Sequence, residues 1–244
     1  MGLGTGLAYA ICNLPWVFLT SPEAKGLVSL AACAAGGVMT FAMRDAPPRE
    51  NFAAVRAEDK HKAEPPGFIS ILMIFFALVW LDSGAFAIIL DNPKLKLAFW
   101  GTETLQWRNS ALHIASALLG GWLIDRGRLR STLALSYLVI VLAIHLLQQP
   151  TPMALLASAG YVCAASLYTV ALFAYAPACL GPEGDSRLHG RWVLFALAAW
   201  VGSTLGIGMM QDLHVVPTWV MTISGGVIGV ALLVRVEPRS RALA

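Results

Sequence analysis

Eight apolar runs, at residues 2–20, 26–43, 68–90, 107–124, 131–148, 153–176, 190–210 and 217–235, restrict what this sequence can fold into. Each approaches the roughly 20 residues that a helix needs to cross about 30 Å of hydrocarbon. Strands of an outer-membrane barrel would instead show segments of about ten residues with alternating polarity. Hydrophobic residues make up 57% of the chain and charged residues 13%, against roughly 25% charged in an ordinary soluble domain, and the mean hydropathy is +0.68. The expected fold is therefore all-α, a polytopic membrane helical bundle of about eight transmembrane helices. The first run lacks a basic leader and is interrupted at Asn13 and Pro15, so it does not read as a signal peptide.

Charge divides the chain and orients it. Residues 44–67 are rich in proline and charge and cannot bury enough apolar surface to fold alone, which predicts a cytoplasmic linker. It separates two helices (1–43) from six (68–244). With the linker on the cytoplasmic side, all of the 17 Lys and Arg residues except Lys25, Lys94, Lys96 and Arg108 fall on that side, the asymmetry expected of cytoplasmic loops. Both termini are then cytoplasmic and the chain is multi-pass in the cell's inner (plasma) membrane. The net charge of +3 comes from scattered residues without a basic patch, so no nucleic-acid partner is expected. Cys12, Cys33, Cys163 and Cys179 stand singly and read as small hydrophobes. No cofactor, metal or enzymatic activity is expected, and no phosphate-binding G-x-x-x-x-G-K-[ST] loop occurs.

A compact charged turn joins the fourth and fifth runs: Gly121, Leu123, Asp125, Arg126, Gly127, Arg128 and Arg130. It resembles the cytoplasmic-loop signature that major facilitator superfamily transporters carry between the second and third helices of each six-helix half, although that pattern usually has one more residue between the first arginine and the glycine. The two-plus-six spacing fits the same family, with this chain similar to helices five to twelve and truncated at its N-terminal half. The resemblance implies a secondary transporter that moves a small organic solute, coupled to protons, with the turn latching the two halves in one state. A second membrane chain covering the open first half is a corresponding expectation. The alternative is a non-transporting membrane scaffold or a subunit of a larger membrane complex.

Within the membrane, ionisable groups are costly and mark candidate sites. Asp82 lies about 12 Å and His113 about 9 Å from the outer ends of adjacent antiparallel runs, counting 1.5 Å per residue. They are the proton-coupling candidates, expected to meet as a carboxylate–imidazole pair. Asn109 lies one turn before His113. Tyr161, Tyr168 and Tyr175 recur every seven residues and form one stripe, which the resemblance places against the central cavity; Asn109, Tyr161, Tyr168 and the mid-helix Trp200 are the cavity candidates. Gly202 with Gly206, and Gly225 with Gly229, read as helix-packing pairs.

Overall fold

The computed structural model describes residues 2–16, 21–43, 68–149, 153–178 and 187–233, which are helical apart from short connections, with no strand among them. Among these residues nine helices follow in order: α1 (Gly2–Asn13), α2 (Pro22–Met43), α3 (Phe68–Asp91), α4 (Pro93–Trp100), α5 (Glu103–Asp125), α6 (Leu129–Leu147), α7 (Ala154–Ala178), α8 (Arg187–Leu213) and α9 (Thr218–Leu233). Four stretches of the described residues are long and apolar enough to cross a membrane: Phe68–Asp91, Leu129–Leu147, Ala154–Phe173 and Val193–Leu213. The expected linker at 44–67 lies outside the described residues.

The buried centre of the bundle is mostly apolar, but one helix is inverted relative to a water-soluble core. Along α5, Gln106, Asn109, Ser110, His113 and Ser116 are buried, whereas Trp107, Leu118, Leu119 and Trp122 are exposed. Polar side chains turn inward, where protein groups satisfy them, and apolar ones turn outward, the arrangement a hydrocarbon solvent demands. This inward polar face lowers the hydropathy of α5, so it is absent from the four apolar spans despite its 23 residues.

Three corrections to the sequence-based segments follow. The first run is not one continuous helix: α1 ends at Asn13 after 12 residues, about 18 Å at 1.5 Å per residue. A bend at Leu14 precedes Pro15, and proline there cannot continue the hydrogen-bond ladder. The connection after α3 holds a further helix, α4. Asn92 Oδ1 accepts from the backbone N–H groups of Lys94 (3.0 Å) and Leu95 (3.3 Å), with Pro93 at the first turn, a standard N-terminal cap. Finally, α5 begins earlier than residue 107, because Thr102 Oγ1 caps it by accepting from Leu105 N–H at 3.3 Å.

The charged turn between α5 and α6 has a local cause. Gly127 adopts a φ of 74°, its N–H donates to the Ile124 carbonyl at 2.8 Å, and Arg128 N–H donates to Leu123 at 2.9 Å. These bonds satisfy helix-end carbonyls through a left-handed residue, the role glycine fills at least steric cost. Two kinds of contact then assemble the helices. α3 packs most extensively on α8 and also on α9, while α5 packs on α1 and α7, and α7 on α6. α3 and α5 share no extensive contact. α2 makes none with the other described helices, and Leu27, Leu30 and Val38 on it are exposed.

Candidate intramembrane polar site

The α3 sequence is apolar from Phe68 to Leu81 apart from Ser70, and then places one carboxylate, Asp82, in the span. Facing it, α7 presents Tyr161 and Tyr168, both buried, with Ala164, Ala165 and Ala171 close by in the sequence. Small residues around a seven-residue tyrosine repeat let α7 approach while its phenols project from a single face. Tyr168 Oη donates to Asp82 Oδ2 at 2.7 Å, and Tyr161 lies within interaction range of the same carboxylate. Asp82 Oδ1 is shut from solvent and has no hydrogen-bond partner. An ionised carboxylate has acceptor capacity on both oxygens; Tyr168 meets one of them, while Tyr161 interacts with the group without reaching hydrogen-bond geometry at Oδ1.

His113 does not meet Asp82. Its Nδ1 shares a 2.7 Å hydrogen bond with Ser166 Oγ on α7, and its ring stacks on Tyr9 of α1, centroids 4.7 Å apart and planes 7° from parallel. The Tyr9 hydroxyl is 3.1 Å from Thr169 Oγ1, which donates onward to the Ala165 carbonyl at 2.7 Å. The expected carboxylate–imidazole pair fails because equal depth on adjacent runs does not make α3 and α5 neighbours; each instead packs on other helices, and both reach α7. Tyr9 and Ser166 are site residues that the sequence pattern does not single out. Gly6, one turn before Tyr9, marks the close approach of α1 to α5: a Cβ there would lie 3.0 Å from Ala117 Cβ and 3.1 Å from Ile114 Cα.

Asn109 is fully buried and structural. Its Nδ2 donates to the Phe99 carbonyl at 2.9 Å, and its Oδ1 accepts from Arg108 at 2.9 Å. With Gln106 Nε2 donating to the Trp100 carbonyl at 2.7 Å, it straps the end of α4 to α5. Arg108, assigned to the outer surface by sequence, also donates to Ser158 Oγ on α7. Trp200 is 68% exposed and is not among the residues that line the cleft described below. In the charged turn, Asp125 and Arg128 are exposed and Gly121 and Arg130 half-buried. The Arg126 guanidinium lies 3.8 Å from the Trp122 ring centroid, a cation–π contact. The side chain of Tyr175 lies outside the described residues.

A cleft of about 400 Å³ opens between α3, α7 and α8, lined by Phe75, Val79, Tyr168, Thr169, Leu172, Phe173, Phe195, Ala196 and Ala199. Phe75, Val79 and Asp82 are spaced four and three apart, one above the other on the same face of α3. The apolar wall thus leads along α3 to the carboxylate, with Tyr168 belonging to both. Because the lining comes from the first halves of α3 and α8 and the second half of α7, the cleft occupies the end of the bundle that carries the α5–α6 turn. Beyond it, Ser83 Oγ donates to Ser203 Oγ at 3.1 Å. Chemically, the arrangement is a largely apolar cleft with aromatic and aliphatic walls, one of whose lining residues, Tyr168, is hydrogen-bonded to a carboxylate that lies outside the lining.

No protein-family model, curated protein or solved structure matches the chain.

Proposed function

We propose that the chain is a secondary transporter of the major facilitator type that moves a small organic solute across the inner membrane in exchange with, or together with, protons. The observation that carries this reading is Asp82, an intramembrane carboxylate whose Oδ1 lacks a partner and whose Oδ2 is held by Tyr168, a wall residue of the cleft. A proton or a solute donor completes its hydrogen bonding, so solute and proton occupancy are coupled at one group. His113 is the second titratable group, joined to Asp82 through α7 rather than by direct contact. In this reading both termini and the α5–α6 turn are cytoplasmic. Lys94 and Arg128, separated by the 23-residue α5 of about 35 Å, lie on opposite surfaces. Single cysteines at these positions in intact cells report this sidedness: an impermeant thiol reagent is expected to label position 94 and spare position 128, and the reverse pattern overturns the orientation.

The test of transport is dissipation of an imposed pH gradient in proteoliposomes on addition of organic solutes. Wild-type protein is expected to move protons with at least one solute class, and Asp82→Asn to lose that proton movement while solute counterflow remains. A wild type that moves no protons with any solute, or an unchanged Asp82→Asn, refutes the reading. A scaffold or subunit of a membrane complex is the second reading, favoured by the outward apolar residues of α2, Leu27, Leu30 and Val38, which no extensive contact with the described helices covers.

A further inference from the structure

We infer that the cleft between α3, α7 and α8 takes a lipophilic organic ammonium, its apolar body among Phe75, Phe195 and Leu172 and its charged head at the Tyr168–Asp82 pair. The inference rests on the transporter reading for its biological setting and on the site's own chemistry for its ligand. The wall is apolar almost throughout, so a sugar or a multiply charged solute would leave its own polar groups unpaired there. The Tyr168 hydroxyl already donates its hydrogen bond to Asp82; towards a ligand its oxygen is left only as an acceptor. Asp82 Oδ1 is likewise an acceptor without a donor. Both polar atoms at this end therefore call for a donor, and the carboxylate favours a positive one.

Aromatic side chains reinforce that choice. Tyr161 and Tyr168 flank the carboxylate, and Phe75 and Phe195 wall the cleft; aromatic residues beside a carboxylate are a recurring setting for an organic cation. No basic side chain among the described residues bonds to Asp82: Arg108 is engaged with Asn109 and Ser158, and His113 with Ser166. An anionic ligand would meet the carboxylate with no compensating charge. A neutral alcohol would donate one hydrogen bond but would bring no opposite charge to the carboxylate.

The experiment uses the full chain in lipid nanodiscs and three fluorescent probes of one shape: 9-(aminomethyl)anthracene, 9-anthracenemethanol and 9-anthracenecarboxylate, read by tryptophan-sensitised emission with empty nanodiscs as blank. The ammonium is expected to bind saturably and about tenfold more tightly than the alcohol, the margin assigned to its positive charge, with the carboxylate showing no saturable binding. Asp82→Asn should bring the ammonium down to the affinity of the alcohol while alcohol binding persists, which reports an intact cleft. Ala199→Phe should fill the cleft and abolish both. Equal affinities for alcohol and ammonium, or an ammonium preference that survives Asp82→Asn, overturns the inference. Ammonium binding without any solute-driven proton movement would keep this site and remove the transporter reading. Proton-coupled movement of neutral or anionic solutes without ammonium preference would do the opposite.

Discussion

Two seams hold this bundle together by different physics. Between α3 and α8 the contact is backbone against backbone: a Cβ on Gly206 would lie 2.6 Å from the Trp80 carbonyl oxygen and 2.9 Å from Gly84 N, and one on Gly202 would lie 3.0 Å from the Phe76 carbonyl oxygen. Between α1, α5 and α7 the contact is made by polar side chains: Tyr9 with Thr169, Ser110 donating to the Ala10 carbonyl at 2.9 Å, His113 with Ser166. In lipid, apolar side chains gain nothing by leaving the solvent, so helices associate through close approach or through hydrogen bonds. The first device makes a rigid seam set by backbone contact. The second makes a seam whose bonds can be exchanged singly, and α7 links it to Asp82 and the cleft.

The sharpest way to break the comparison is at Gly206. Gly206→Ala is expected to cost about 1–3 kcal/mol, because the added methyl meets backbone atoms that no rotamer change can move. Gly208 lies on the same helix, and a Cβ added there would have nothing within 4 Å. Gly208→Ala should therefore stay within about 0.5 kcal/mol of wild type or gain slightly from helix propensity. Unfolding in mixed micelles with increasing dodecyl sulfate measures both. Equal losses at the two positions would mean that the α3–α8 seam is not set by close approach.

The polar seam should yield smaller numbers. A double-mutant cycle of His113→Ala and Ser166→Ala is expected to give a coupling of about 0.6 kcal/mol, the average for interhelical hydrogen bonds in membranes, since the cycle cancels the cavity that each truncation leaves. A coupling near zero would show that the histidine is held by its stack on Tyr9 instead. The same variants read in the pH-gradient assay sharpen the functional side: His113→Ala that keeps proton movement would confine coupling to Asp82.

How far the sequence reveals these seams depends on whether a residue's direction can be inferred as well as its depth. The spans α3, α6, α7 and α8 are legible because about 20 almost uninterrupted apolar residues have few other solutions. The Tyr161–Tyr168 stripe is legible as a stripe because a seven-residue repeat fixes direction on one helix. The Asp82–His113 relation is not, since depth along two helices leaves their mutual rotation and the identity of their neighbours open. α4 escapes a search for long runs although Asn92, Pro93 and Thr102 supply ordinary capping signals, because an eight-residue helix is too short to register among segments of membrane length. Gly127 of the charged turn fulfils a helix-capping role that any two antiparallel helices could require, so this part of the resemblance has a local explanation of its own. Of the two glycine pairs, Gly202 and Gly206 both pack closely, whereas Gly225 alone meets Tyr137, whose hydroxyl donates to the Met221 carbonyl at 2.7 Å, and Gly229 has nothing near it.

Trp200 supplies the smallest expected effect and the clearest case of direction overruling depth. At 3.6 residues per turn, successive side chains are about 100° apart, so Trp200 and Gly202 project about 160° from one another. Once the glycine pair is taken as the face turned to α3, the indole has to point outward, and its 68% exposure agrees. A large aromatic ring at that place belongs against lipid, where loss of its contacts costs little. Trp200→Phe is expected to change the unfolding free energy by less than about 0.5 kcal/mol and to leave the binding of all three anthracene probes unaltered. Brominated lipid acyl chains should quench wild-type fluorescence more than that of the variant, since a highly lipid-accessible indole would be gone. Identical quenching together with weakened probe binding would return Trp200 to the cleft and require a different rotation of α8 against α3.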